Sequence, residues 1–466
     1  MDAILPDTFW PLLTAFASCF GAPTFENFCW VVAGWVHCLG RHTVTAVAVA
    51  SGGLAGREVS SFHRFFARAQ WSLDAVGLVL FRLVMVWQPA GQPLRAALDD
   101  TLARKTGKCI SLASMHHDPL LSPSARRPFA SFGHVWVILS VWVPLPGSQS
   151  RGVALPVLFR LFVGRRGGGQ VDSPSRRTAG ARQQAARRAA EHTPYCTKLE
   201  LGREMVHLLA SWAGERQVVV AMDSAYAGRT LLEQRPANLA FVSRLRMDAA
   251  LWTPPAARRP GQKGRPRRRG QRLPNPAAWA TARRSWHRLK LTLYGRSVTT
   301  QVFTKTALWY VAMRDQPVRI VVVRDPSGRR HDEAFFSTDV QASAAFILQT
   351  YASRWCLEVA FRDGKQHLGF EDPQQQVELA VRRTAPLAFL VYDLVWLWAA
   401  GRAQAGQTIA WVPRSWYRQK VAPSFMDALT ALRHERWRST IFDPPLTSRR
   451  RKNSPAAWTR DLLATA

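Results

Sequence analysis

The chain has 466 residues, of which 47% are hydrophobic, including 19 Trp and 23 Phe; this excludes a disordered chain and, at about 150 residues per domain, allows two to four domains. Its 63 Lys and Arg against 31 Asp and Glu leave a net charge of +32, an excess that repels itself unless a polyanion neutralises it, so nucleic acid is the expected partner. The most apolar stretches, HVWVILSVWVPLP and PLAFLVYDLVWLWAA, are shorter than the roughly 20 residues of a spanning helix, and Met1-Asp2 opens the chain without a basic leader, so a cytoplasmic protein with no membrane partner is expected.

Residues 1–88 read as a helical N-terminal domain, with apolar residues recurring at helical spacing through FENFCWVVAGWVHCL and LDAVGLVLFRLVMVW. SSFHRFFARAQW carries His63, Arg64 and Arg68 among aromatics and could touch DNA or simply pack. From about residue 94 the period changes. LRAALDDT is a candidate first strand ending in Asp99 and Asp100; HVWVILSVWV and ALPVLFRLFV follow as apolar, central strands. A Gly- and Arg-rich connection then leads to an amphipathic helix in which Leu201, Met205, Leu208, Leu209 and Trp212 share one face. The next strand, QVVVAM, ends at Asp223.

Three strands, a helix and a parallel strand, with acids at the ends of the first and last strands, outline an α/β fold with a ribonuclease-H-like core over 89–235. Open α/β sheets place their sites at such strand ends, although a lone Asp is more often a cap or turn residue. Between about 236 and 345 the pattern becomes β-rich: FVSRLR, WHRLKLTLYG, SVTTQVFT, ALWYVAMRD, VRIVVVRD and AFFSTDV all read as strands. This predicts an insertion domain interrupting the core, because the 135-residue gap (358 less 223) before Glu358 is too long for a simple crossover. Inside it, PAARRPGQKGRPRRRGQR holds eight Lys and Arg and no acid; Pro and Gly forbid a helix, so Arg267, Arg268 and Arg269 are expected in a solvated loop that tracks DNA. The core resumes over 346–405, and 406–466 is a basic C-terminal region containing Arg449, Arg450, Arg451 and Lys452. The six cysteines form no C-x2-C pair and are expected to be reduced and structural.

In YASRWCLEVAFRDGKQHLGF, Tyr351, Arg354, Glu358 and Lys365 share a narrow helical stripe. With Arg354 at zero, the other three fall about 60°, 40° and 20° round the helix. Leu357, Phe361 and Leu368 form an apolar ridge beside them. The bland alternative is a solvated Arg354–Glu358 pair at i,i+4, worth a few tenths of a kcal/mol. This Y-x2-R-x3-E-x6-K spacing is the YREK signature, and on it the chain resembles a DDE transposase of bacterial insertion sequences. Within that class it looks closest to the DDE superfamily endonucleases, whose first motif reads DDT before a basic run, here Asp99-Asp100-Thr101 and ARKTGK. The likeness covers most of 60–400.

DNA phosphodiester cleavage needs a positioned nucleophile and charge stabilisation on the attacking and leaving oxygens. Two Mg²⁺ ions, with Mn²⁺ able to substitute, do both and prefer carboxylate oxygens. Asp100, Asp223 and Glu358 are the expected ligands and catalytic acids. Only one of Asp99 and Asp100 can face the site while the strand continues; the resemblance, in which the acid stands directly before a Thr, favours Asp100. It also implies that Tyr351, Arg354 and Lys365 contact DNA phosphates, that an inserted-domain aromatic holds an unstacked base (Trp309 and Trp286 are candidates, although either is more often simply core), and that the substrate is double-stranded DNA with terminal inverted repeats, bound by a homodimer or larger synaptic assembly near the nucleoid. Cut-and-paste transposition is thus the leading expectation. A ribonuclease-H-fold nuclease or resolvase without strand transfer, and a non-catalytic DNA-binding protein, are the alternatives.

Overall fold

The computed structural model describes residues 5–52, 57–107, 109–122, 127–145, 151–164, 195–257, 263–411, 420 and 422–437. The Gly- and Arg-rich connection after Gly164, Arg258 and Arg259 of the basic loop, and the basic run at 449–452 lie outside the described residues.

The chain is mixed α/β. Helices α1 (Ala22–His37), α2 (Val44–Ala50), α3 (Val59–Ala67) and α4 (Leu73–Met85) precede the first strand. Thr43 and Ser72 cap α2 and α4 by accepting from the amides of Ala46 and Ala75, which satisfies donors that a helix start leaves open. Phe28, Phe62, Phe65 and Phe66 are fully buried there, with Phe65 stacked on Trp71 at 5.2 Å.

Strand β1 (Leu94–Arg104) pairs antiparallel with β3 (Ala130–Pro144), which also pairs with β2 (Ser114–His117) and β4 (Gly152–Phe162). Helix α5 (Lys198–Trp212) starts in a capping box between Thr197 and Glu200 and leads into β5 (Val218–Met222), parallel to β1. This succession of three antiparallel strands, a helix and a parallel strand is compatible with a DDE nuclease fold. Gly202 seats the helix closely: a Cβ there would stand 3.0 Å from Leu98 and 3.6 Å from the Tyr226 ring.

The β-rich stretch does not stand apart from this sheet. β6 (Leu239–Leu245) pairs parallel with β5, and β12 (Glu333–Ser337) pairs with β6. Then follow β11 (Pro317–Arg324) and β10 (Arg296–Leu308), giving one twelve-stranded sheet with the two-residue β7 (Leu251–Trp252) and β8 (Arg272–Leu273) at its far end. β9 (His287–Leu293) pairs only with β10 among the described residues. Continuity arises because β6 offers its free edge to β12, and backbone groups at an open edge are satisfied by another strand. One segment read as a strand differs. ALWYVAMRD leaves β10 after Leu308 and forms a short helix, Tyr310–Met313, closed by Arg314 at φ 55°.

Helices α6 (Ala344–Ser353) and α7 (Trp355–His367) follow, meeting at Arg354. Ile347 and Leu348 of α6 pack on Val219, Val242, Val302 and Val321 of the sheet. Helix α8 (Glu378–Gln404) is long and apolar enough to cross a membrane by length and composition, yet 89% of its apolar window is buried within the protein. Helix α9 (Phe425–Trp437) packs against it.

Candidate active site

The β1–β5 ladder runs parallel from Leu94↔Val218 to Leu98↔Met222 and stops. The next residues on the two strands are Asp99 and Asp223. β1 itself continues to Arg104, held by antiparallel pairing with β3, so its two acids are mid-strand and alternate between faces. Leu98 and Asp100 look towards α5. Asp99 looks the other way, as do Val219 and Asp223 of the neighbouring strand by register, towards the α6–α7 junction. Past Met222 the backbone stays extended at Asp223 (φ −70°, ψ 160°), whose carboxylate accepts from the Ser224 amide at 2.7 Å.

Arg354 sits at the junction and organises the Asp99 face. Its Nη1 donates to Asp99 Oδ2 at 2.5 Å and its Nη2 to Glu358 Oε1 at 2.8 Å. The Arg354 side chain is only 14% exposed, so the pair is no solvated surface bridge. The junction is a tight turn, with the Arg354 amide bonded to the Tyr351 carbonyl and the Leu357 amide to the Arg354 carbonyl. Burial pushes the Asp99 carboxyl up to about 6, against the pull of Arg354 and with help from Asp100 and Asp223. Burial works against the Arg354 charge, but Asp99, Tyr351 and Glu358 more than restore it.

Asp100, the acid favoured from the sequence, lies on the opposite face. Lys198 Nζ, at the start of α5, donates to its Oδ2 at 2.6 Å, and the Tyr226 hydroxyl donates to its Oδ1 at 2.8 Å. Burial, then the neighbouring acids, hold the Tyr226 phenol protonated. Lys198 and Tyr226 were not singled out from the sequence. Each had a signal: Lys198 directly follows the cap of the T-x-x-E box, and Tyr226 closes the turn that Asp223 begins.

The rest of the stripe divides. Leu357, Phe361 and Leu368 are buried, as a ridge pressed on a core should be. Tyr351 belongs to α6, 4.9 Å from Phe335, with Arg354 over its ring at 5.6 Å, and burial raises its phenol. Lys365 turns inwards: its ammonium donates to the Leu102 carbonyl at 2.7 Å and pairs with Glu371 at 3.2 Å. Burial lowers its pKa. It therefore clips α7 to the end of β1 instead of presenting a charge to solvent.

In the basic loop Arg267, Arg268 and Arg269 are all exposed, and Arg269 also stacks over Trp252 at 4.6 Å and Tyr310 at 5.0 Å. Trp309 packs on Phe336 and Trp286 lies under Arg324, so both indoles serve the sheet.

Carboxylate oxygens are the donors a hard divalent cation prefers, and Asp99 and Glu358 here share the Arg354 guanidinium. As arranged, no three His, Cys, Asp or Glu among the described residues stand close enough to hold one ion. One physical reason is visible: Arg354 supplies the positive charge between Asp99 and Glu358 itself.

A family model described as DDE superfamily endonuclease matches residues 15–309. The match includes Asp99, Asp100, Asp223 and Lys198 and ends before Glu358. No curated protein matches the chain.

Proposed function

Because this chain belongs to the DDE superfamily endonucleases, we propose that it is a transposase of the bacterial insertion-sequence, YREK-bearing kind, which cuts and rejoins double-stranded DNA at terminal inverted repeats. The supporting observation is the shared level of Asp99 and Asp223 where the β1–β5 ladder ends, with Glu358 tied to Asp99 through Arg354. We assign Asp99, Asp223 and Glu358 as the catalytic acids. Asp100 becomes a neighbouring carboxylate fixed by Lys198 and Tyr226.

The superfamily generally uses divalent metal ions. Two Mg²⁺ ions are our assignment, with the three acids as holders; once bound, such ions stabilise charge on the attacking and leaving oxygens. Arg354 orients Asp99 and Glu358 towards each other and neutralises their repulsion. A guanidinium freed from one of them has the planar fork that grips a phosphate. Lys365 sets the distance of α7 from β1 through Leu102 and Glu371. We further propose a ribonuclease-H-like core at β1 and β3–β5, a helical region up to residue 88, and a β-rich insertion over 236–345 that extends the core sheet.

Cleavage of DNA carrying the element's ends, with Mg²⁺ or Mn²⁺, tests the reading. Nicks at the repeat boundary followed by joining to a target are expected. Hydrolysis without joining would leave an endonuclease lacking strand transfer, and inactivity of the wild type on every DNA tried, together with no DNA binding, would overturn the proposal.

A further inference from the structure

The hairpin β9–β10 turns at Tyr294 and Gly295, both left-handed (φ 52° and 74°). An aromatic residue in that region is strained, yet Tyr294 is 64% exposed. The turn reaches the catalytic helices: Tyr294 lines one cavity with Gln349, Ala352, Ser353 and Cys356, the residues on either side of Arg354. Behind the turn, cross-strand pairs run in the order Thr292↔Ser297, Lys290↔Thr299 and Arg288↔Gln301. All six side chains share one face by the two-residue alternation of strands. The opposite face carries Leu289, Leu291, Leu293 and Val302, which pack in the core with Ile347 of α6. Burial agrees with this division. Arg288, Lys290, Ser297 and Thr299 are exposed, Thr292 and Gln301 half-buried, while Leu291 and Val302 are buried.

The outward face is therefore a row of cations, hydroxyls and an amide containing no carboxylate. Neither Arg288 nor Lys290 has an ion-pair partner among the described residues. Each rung lies about 6.8 Å from the next, and these side-chain types are the ones that bind DNA phosphates and sugars. Charged residues on an edge strand can also serve only to prevent sheet-to-sheet pairing. That role asks nothing of the hydroxyls opposite them, nor that the row should start at a turn lining a cavity with Ala352, Ser353 and Cys356 of the α6–α7 junction.

We propose that the outer face of β9–β10 is a docking surface for the DNA phosphate backbone, leading the duplex away from the cleavage point. The proposal rests on the DNA-cleaving function above. The occupant is fixed by charge: four polar neutral groups flank two cations with no ion-pair partner among the described residues, in a chain of net charge +32.

The test is binding of full-length protein to end-bearing duplex without metal, titrated from low to high salt. The double variant Arg288→Ala/Lys290→Ala should flatten the log–log salt slope by up to about 1.8, at about 0.9 per lost phosphate contact. Charge-keeping Arg288→Lys/Lys290→Arg should hold the slope near wild type, and Ser297→Ala/Thr299→Ala should weaken binding with the slope unchanged. Thermal melts check that each variant folds. Salt-dependent wild-type binding combined with an unaltered slope in the double alanine variant would overturn the docking surface while leaving the cleavage function standing. A wild type that does not bind DNA would overturn both.

Discussion

Asp99 and Asp100 are adjacent in sequence but have opposite surroundings, and this separates their expected roles. Asp99 joins Arg354 and Glu358; Asp100 is held by a lysine and a phenol. Asp99→Asn, Asp223→Asn and Glu358→Gln should each abolish metal-dependent cleavage while binding in a gel shift persists. Asp100→Asn should retain measurable cleavage, because an amide oxygen still accepts from Tyr226. Full loss in Asp100→Asn with normal cutting by Asp99→Asn would reverse the assignment. Asp99 also makes a thermodynamic prediction. Its folded carboxyl is raised from 3.8 to about 6, so the stability it contributes is present below its ordinary range and is lost as pH rises through about 6. Metal-free Asp99→Asn should therefore gain on wild type between pH 4 and 7, by up to about 3 kcal/mol at about 1.4 kcal/mol per unit. Denaturant melts of both proteins across that range measure it.

At the scale of elements, two cations expected to face DNA, Lys365 and Arg269, have structural partners. Lys365 bonds the Leu102 carbonyl and Glu371, joining α7 to β1. Bonds from a charged donor contribute about 1.5–3 kcal/mol, so Lys365→Met should lower stability by that order and reduce cleavage by displacing Glu358. An unchanged melting temperature together with weakened DNA binding would return Lys365 to the phosphate-contact role. The basic loop divides in the same way. Arg267→Ala/Arg268→Ala should flatten the salt slope of binding by up to about 1.8. Arg269→Ala should instead cost about 0.5–1 kcal/mol of stability by vacating the Trp252 and Tyr310 rings, with little change in slope. Equal slope changes from all three arginines would contradict that division.

Across the whole molecule, the helices before β1 are joined to the later chain by polar contacts in enclosed places. Arg383 of α8 donates to the carbonyls of Ala69 and Trp71, and the His42 amide donates to Asp372. Burial lowers His42 to about 4 and does the same to His134, whose Nε2 lies 2.8 Å from the Ser111 carbonyl. A histidine depressed in the folded state contributes stability that is present above its ordinary pKa near 6.5 and lost as pH falls towards about 4. Each should cost on the order of 3 kcal/mol across that window. Wild type should therefore unfold more readily from pH 6.5 to 4, and a His42→Asn/His134→Gln variant, less stable at neutral pH, should show a flatter acid limb. Parallel stability–pH curves for the two proteins would show that these imidazoles do not set the acid limit.

Periodicity along the chain determined the elements: the apolar runs of β3 and β4, the face of α5, the Asp223 strand end and the Leu357–Phe361–Leu368 ridge each depend on residues a few positions apart. The resemblance carried by Asp99-Asp100-Thr101 and the YREK spacing was likewise legible, and the family match supports its coarser part. Local pattern could not determine which acid of the adjacent pair meets Arg354. That depends on the β1–β5 register, set by residues more than a hundred positions apart, and a one-residue shift reverses every side chain. The same limit hid the inward turn of Lys365, because Glu371 and Leu102 reach it only when α7 packs on β1. It also hid the joining of the strands of 236–345 to the sheet of β1–β5, since the pairing of β6 with β5 on one edge and β12 on the other is a choice of partners made in three dimensions.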